Sequence, residues 1–282
     1  MAIRIITDST SDLPLERQEE LGIEIVPLSV RFGSEEYLDG VNLSKKEFFE
    51  KLAGCRELPT TAQVNPERFE KIFGKYSPDD EVIGIFLSGR MSGTYQSAGI
   101  AKNLLGARNI TLIDSRCVTF GLGLLVLEAV RMRDAGMTAQ EICRGVNDLI
   151  GRLRFYAVID TLKYLKMGGR LSASSALFGT MLHIKPIVTF QEGEVVAIEK
   201  RKGLKAAAEF IAQKMEQDRP DAASQIALGD SVAPELAALL KESIAKHTDL
   251  SGSVNFELGS VVGTHAGPGC AGVAYIARKD AE

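Results

Sequence analysis

The chain of 282 residues has no tryptophan, three histidines and four cysteines, and each scarcity excludes something. Cys55, Cys117, Cys143 and Cys270 form no CxxC pair, which removes the usual zinc-ribbon and dithiol redox motifs. With no HxxxH pair and no EF-hand loop, no metal site is expected. Gly121-Leu122-Gly123 does not extend to GxGxxG, and neither a Walker sequence nor a GxSxG elbow occurs. Nucleotide binding and α/β-hydrolase chemistry therefore lack their sequence marks. No apolar run approaches the ~18 residues that span a bilayer. The N-terminus, Met-Ala-Ile-Arg-Ile-Ile-Thr-Asp, lacks the basic and apolar regions of a signal peptide and reads as a strand. A cytoplasmic protein with reduced thiols is expected. Acidic residues outnumber basic ones, 37 to 33, for a net charge of −4. Bulk attraction to nucleic acid or anionic lipid is thus missing. No nucleic-acid partner is expected, and transient membrane contact needs a local basic patch.

What is present is ordinary globular composition, 45% hydrophobic and 25% charged, in a chain long enough for two domains. Strand and helix signals alternate through the first half, which predicts parallel βα units. Strands are read over 3–7, 23–30, 81–87 and 110–114. Helices are read over 15–21, from Ser44, from Asn65-Pro66, from about Ser92, and over 120–134 and 139–149. Ser44 with Glu47, and Thr138 with Glu141, are capping boxes. The second half mixes a hairpin about Glu192-Gly193 with strands over 155–160, 226–228, 254–258 and 273–277 and helices over 206–215 and 234–244. A Gly-rich loop precedes the last strand. The expected fold is α/β with two domains, a mostly parallel three-layer sheet over 1–160 and a mixed sheet with helices over 161–282. A ligand belongs in the cleft between them.

Four segments can carry chemistry. Leu87-Ser88-Gly89-Arg90-Met91-Ser92-Gly93-Thr94 joins a buried strand to a helix, where free N–H groups and hydroxyls attract anions. Ser92 can equally be a plain helix cap. Pro59-Thr60-Thr61-Ala62-Gln63 offers two hydroxyls, which either donate to a carboxylate or form a turn. His265, in Gly263-Thr264-His265-Ala266-Gly267-Pro268-Gly269, is either a ligand-facing ring or a surface loop histidine. His183 and His247 read as structural and solvated. Lys163, Lys166 and Arg170 with Gly168-Gly169, and Lys200-Arg201-Lys202, are solvated faces or a docking patch. Asp8, Ser9 and Asp12 read as braces of the first βα turn.

In this order the segments resemble the DegV family of fatty-acid-binding proteins, over nearly the whole chain. The resemblance is carried by Asp8-Ser9-Thr10-Ser11-Asp12-Leu13-Pro14, Pro27-Leu28-Ser29-Val30, Tyr37-Leu38-Asp39-Gly40 and Pro59-Thr60-Thr61. Ser92-Gly93-Thr94-Tyr95-Gln96-Ser97-Ala98, Asp114-Ser115, Leu162-Lys163-Tyr164-Leu165-Lys166 with Gly168-Gly169-Arg170, Ile184-Lys185-Pro186-Ile187 and Gly263-Thr264-His265 continue it. It implies a long-chain fatty acid such as palmitate or oleate, its carboxylate held at Thr61 and Ser92, with Thr60, Gly93 and His265 beside them. It implies a carrier rather than an enzyme, with no cofactor beyond the bound fatty acid. It implies delivery of that acid to the catalytic subunit of a fatty acid kinase, which makes acyl-phosphate for phospholipid synthesis. Arg170 and Arg201 fall in the implied docking surface. The chain departs from the family pattern at Ala62, Val64 and Gly89, where members often carry Ser, Pro and Ser. Two other readings remain: a serine-dependent lipid-ester hydrolase using Ser92, His265 and Asp114, and a lipid-sensing regulator.

Overall fold

The computed structural model describes residues 2–106, 109–173 and 183–279. Three sheets organise them. The first is parallel, in the order β2 (Ile23–Val26), β1 (Ile3–Asp8), β6 (Glu81–Phe86), β7 (Ile110–Asp114). Alternation sends its side chains to two helical layers. Ile6, Val82 and Phe86 join α3 (Pro66–Gly74) and α4 (Thr94–Leu104) in one core. Ile5, Ile83 and Ile85 join α5 (Phe120–Asp134) and α6 (Ala139–Arg152) in the other. This is the three-layer arrangement expected of the N-terminal half.

A small antiparallel sheet, β4 (Glu35–Leu38), β3 (Ser29–Phe32), β5 (Thr60–Ala62), was not expected. The apolar run 23–30 read as one strand. Pro27, which has no N–H to donate, divides it into β2 and β3. The short helix after β1 is also divided, into a 3-10 turn, Leu15–Arg17, and α1 (Gln18–Leu21), and ends at left-handed Gly22. The Ser44 capping box opens α2 (Lys45–Gly54) and the Thr138 box opens α6.

The third sheet is mixed and six-stranded: β10 (Glu194–Lys202), β9 (Ile184–Gln191), β8 (Leu153–Val158), β13 (Cys270–Ile276), β11 (Ala227–Ser231), β12 (Val254–Glu257). β8 lies before residue 160 yet pairs with β9 and β13, so sheet membership changes after α6. The hairpin turns at Glu192 and Gly193, both left-handed. One face of the sheet, with Tyr156, Val158, Val273 and Tyr275, packs on α8 (Leu204–Asp218) and α9 (Pro234–Ala245). The other face turns Phe155, Ala157 and Ile159 toward the first half of the molecule. A short helix, α7 (Lys163–Met167), follows β8. The expected Gly-rich loop is in fact helical over Ser260–Ala266, here α10. Gly263 weakens that helix intrinsically, but a Cβ there would fall 2.6 Å from the Phe48 ring. Close packing on α2 therefore decides the conformation. Among the described residues no helix is long and apolar enough to cross a membrane.

Three buried carboxylates join these elements. Asp8 accepts the N–H of Leu87 at 2.8 Å and that of Thr10 at 3.0 Å. Asp12 accepts the Gly259 N–H at 2.8 Å and the Thr119 hydroxyl. Asp39 accepts both the N–H and the hydroxyl of Ser260, at 2.8 and 2.6 Å. Ser9 accepts the Leu28 N–H at 3.1 Å. The Asp8–Asp12 segment is thus a brace, as its sequence suggested. Burial pushes Asp8 up to about 6 and Asp12 up to about 7, and raises Asp39 as well. Lys45 opposes the shift of Asp12 and neighbouring Asp39 adds to it.

A raised folded pKa has a definite sign. Below pH ~4 Asp12 is protonated folded or unfolded. Between pH 4 and 7 only the folded chain keeps the proton, so stability falls as pH rises through that window. Asp12→Asn removes the titration and can keep the Gly259 contact. The stability of Asp12→Asn relative to the parent should therefore rise between pH 4 and 7, read as midpoints of urea unfolding at each pH. A difference that stays constant with pH contradicts the assignment.

Candidate functional site

A cavity of about 360 Å³ opens where the three sheets meet. Its size falls in the range of small-molecule sites. Leu87, Val118, Phe120, Ala157, Ile159 and Val188 give it apolar walls. Among the described residues no Asp or Glu lines it, and Arg170 is its one charged side chain. Thr10 and Thr119 line it with hydroxyls already given to Asp8 and Asp12, and its other polar groups come from four chain segments.

Thr61 is supplied by β5, opposite Val30 of β3. Alternation along so short a strand lets one of two adjacent threonines face inward. Thr61 lines the cavity, whereas Thr60 is exposed and outside the lining. Ser92 and Gly93 come from the loop after β6. Gly93 is the N-cap of α4, so Ser92 lies one residue before the cap. The Ser92 hydroxyl contacts the Thr94 hydroxyl at 3.0 Å and accepts the Thr94 N–H at 3.3 Å. Both Ser92 and Gly93 line the cavity. A Cβ at Gly93 would fall 2.0 Å from Gln63 Oε1, so glycine makes room for the Gln63 side chain, which donates to Ser97 at 3.0 Å.

His265 lies near the end of α10, with Nε2 2.9 Å from the Thr61 hydroxyl. Its Nδ1 is buried without a hydrogen-bond partner among the described residues. Gly168 explains the fit, since a Cβ there would reach to 2.2 Å from Nδ1. Burial, and then the Arg170 cation, lower the His265 pKa to about 4. The ring is therefore neutral at pH 7. A buried imidazole N–H without an acceptor costs more than an idle lone pair. That cost favours the tautomer in which Nε2–H donates to Thr61, leaving the Thr61 hydroxyl hydrogen free for a ligand.

Arg170, expected at a docking surface, lines the cavity. It donates through Nε to the Met91 carbonyl at 3.2 Å and through Nη1 to the Gly168 carbonyl at 2.7 Å. No carboxylate pairs with it among the described residues. Arg201 is elsewhere, 2.8 Å from Glu199 and over the Phe210 ring at 4.6 Å. The structure thus gathers Thr61, Ser92, Gly93, His265 and Arg170, and leaves out Thr60 and Arg201. Of the departures from the family pattern, Ala62 lines the cavity, Val64 is buried, and the Gly89 N–H donates to Asp114 at 3.3 Å. Met91 also lines the cavity. Sequence reasoning missed Gln63 and the aromatic wall of Phe120, Phe155 and Phe190. Alternation of 155, 157 and 159 was the available signal for that wall.

The imagined triad does not assemble. His265 bonds Thr61 rather than Ser92, and its other nitrogen meets no acid. Asp114 accepts from Arg116 and Gly89 and lines a different cavity.

The lowered pKa of His265 predicts a pH effect opposite to that of Asp12. Its contribution is complete above pH ~6.5 and is lost as pH falls toward 4, because folding must then expel a proton. The parent's stability advantage over His265→Gln should grow between pH 4 and 6.5, measured by unfolding midpoints. An advantage that shrinks over that range contradicts a buried neutral ring.

The DegV family, described as "Uncharacterised protein, DegV family", matches residues 2–278. A DegV domain-containing protein of Caldanaerobacter subterraneus is 38% identical over 275 residues, covering 97% of this chain and 98% of the relative. A DegV family protein from Thermus thermophilus, solved for its fatty-acid binding, superposes with a TM-score of 0.90 at 31% identity, over 99% of this chain and 100% of that one. DegV from Bacillus subtilis, a fatty acid binding protein, gives 0.83 at 30% identity over 99% and 100%. This chain belongs to the DegV family.

Proposed function

We propose that the cavity holds one long-chain fatty acid, which the protein carries to a fatty acid kinase. The observation that carries this reading is the lining itself: among the described residues, apolar walls, no acid, and one cation beside two hydroxyls. A carboxylate there accepts from Thr61, from Ser92, from the Gly93 N–H at the positive end of α4, and from Arg170. Two of the five Arg170 donors are engaged with carbonyls, which leaves others for the ligand. The neutral His265 orients Thr61 without competing as a second cation. The acyl chain lies along the apolar wall, where each buried CH₂ contributes about 0.8 kcal/mol. Fatty-acid binding by the Thermus and Bacillus relatives supports the same ligand class.

Delivery to a kinase is supported by the surface beside Arg170. There α7 exposes Lys163, Lys166 and Met167 next to the polar end of the cavity. A partner docking on α7 reaches the carboxylate without the acyl chain leaving its pocket. Phosphorylation of that carboxylate yields the acyl-phosphate used in phospholipid synthesis. The protein itself supplies no catalytic residue in this reading.

The test is titration of delipidated protein with oleate and palmitate. Thr61→Val and Ser92→Ala should each weaken binding about 3- to 10-fold, and Arg170→Gln about 10- to 100-fold. Loaded protein, mixed with a fatty acid kinase and ATP, should yield acyl-phosphate that empty protein does not. Absence of binding, or affinity untouched by all three substitutions, contradicts the proposal. Release of p-nitrophenol from acyl esters that is lost in Ser92→Ala would favour the hydrolase instead.

A further inference from the structure

A second cavity, about 860 Å³, lies against the first. It is lined by polar groups such as Asp114, Arg116, Asn147 and Arg154, mixed with Leu112 and Ile150. Phe155 and Phe190 line both cavities, and among the described residues no other lining residue is shared. These two rings therefore stand in the walls of both an apolar pocket and a much larger space.

The sheet explains their position. β8 and β9 pair antiparallel, with Ala157 opposite Val188 and Val158 opposite Ile187. Two residues further along the same register, Phe155 faces Phe190. Their rings approach to 4.4 Å between centroids. Phe190 in turn faces Val195 of β10. Side chains two apart share a face. The cavity face thus carries a bulky row, Phe155–Phe190–Val195, and beside it a smaller row, Ala157–Val188–Ala197. Phe155 is braced from behind by Phe120, stacked at 4.8 Å, and its carbonyl accepts the Thr189 hydroxyl at 2.7 Å. Phe190 is half-buried, with its ring between the two spaces.

We infer that the Phe155–Phe190 pair is the partition that sets the longest acyl chain the pocket accepts. The inference rests on the proposed fatty-acid reading and adds to it a length limit with a named cause. Up to the limit, each added CH₂ is buried and tightens binding about fourfold. Beyond it, further carbons meet the rings and add nothing. Removing a ring joins the pocket to the second cavity and moves the limit outward.

The experiment is a series of saturated fatty acids from C12 to C24, titrated into delipidated parent, Phe190→Ala and Phe190→Leu. Thermal melts confirm that each variant is folded. The parent should show affinity rising with length to a break and then levelling or falling. Phe190→Ala should move the break by two carbons or more, with Phe190→Leu between them. If Phe190→Ala fails to fold, the shift in Phe190→Leu decides. A folded variant that binds with the parent's break overturns the partition while leaving the carrier reading intact. A parent that binds no member of the series overturns both.

Discussion

The polar end of the cavity depends on carboxylates that never touch it. Asp8, Asp12 and Asp39 are buried behind the site and accept N–H groups from the segments that build it. Asp8 ties the end of β1 to Leu87, where the chain leaves β6 toward Ser92 and Gly93. Asp12 and Asp39 hold Gly259, the N-cap of α10, and Ser260, its first residue, and so set the position of His265. Burying three acids together is unfavourable, which is why their pKa values rise. The cost is offset by hydrogen bonds that no apolar residue could make. Removing one partner would strand buried N–H groups at the base of the site.

That frame lets the cavity keep a simple electrostatic design. Among the described residues a single cation, Arg170, faces an apolar space with no acid in its walls. His265 stays neutral because burial and the same cation disfavour its protonation. The two groups therefore divide the work of recognition. Arg170 supplies charge, and His265 fixes a hydroxyl. An anionic head group with an apolar tail satisfies both parts of such a pocket, and a polar or cationic ligand satisfies neither.

Much of this was legible in the sequence, for identifiable reasons. Both capping boxes and the Glu192-Gly193 hairpin have local chemistry that dictates them. α5 also matched, because its apolar run is buried almost all round. Thr61, Ser92 and His265 could be singled out individually, but their convergence depends on three long-range connections. What was hidden was tertiary. α10 looked like a loop because of its glycines, and its helix rests on packing against α2. The β3–β4–β5 sheet was hidden by an apolar run that continues through Pro27. Arg170 read as a surface charge, since nothing local shows that Gly168 brings it beside His265.

The most direct test of the central claim is native mass spectrometry of the purified protein, with denaturing extraction of whatever it carries. A stoichiometric mass excess that extracts as a single long-chain fatty acid is the predicted result. Protein that is isolated empty, and that stays empty when oleate or palmitate is added, would contradict the account.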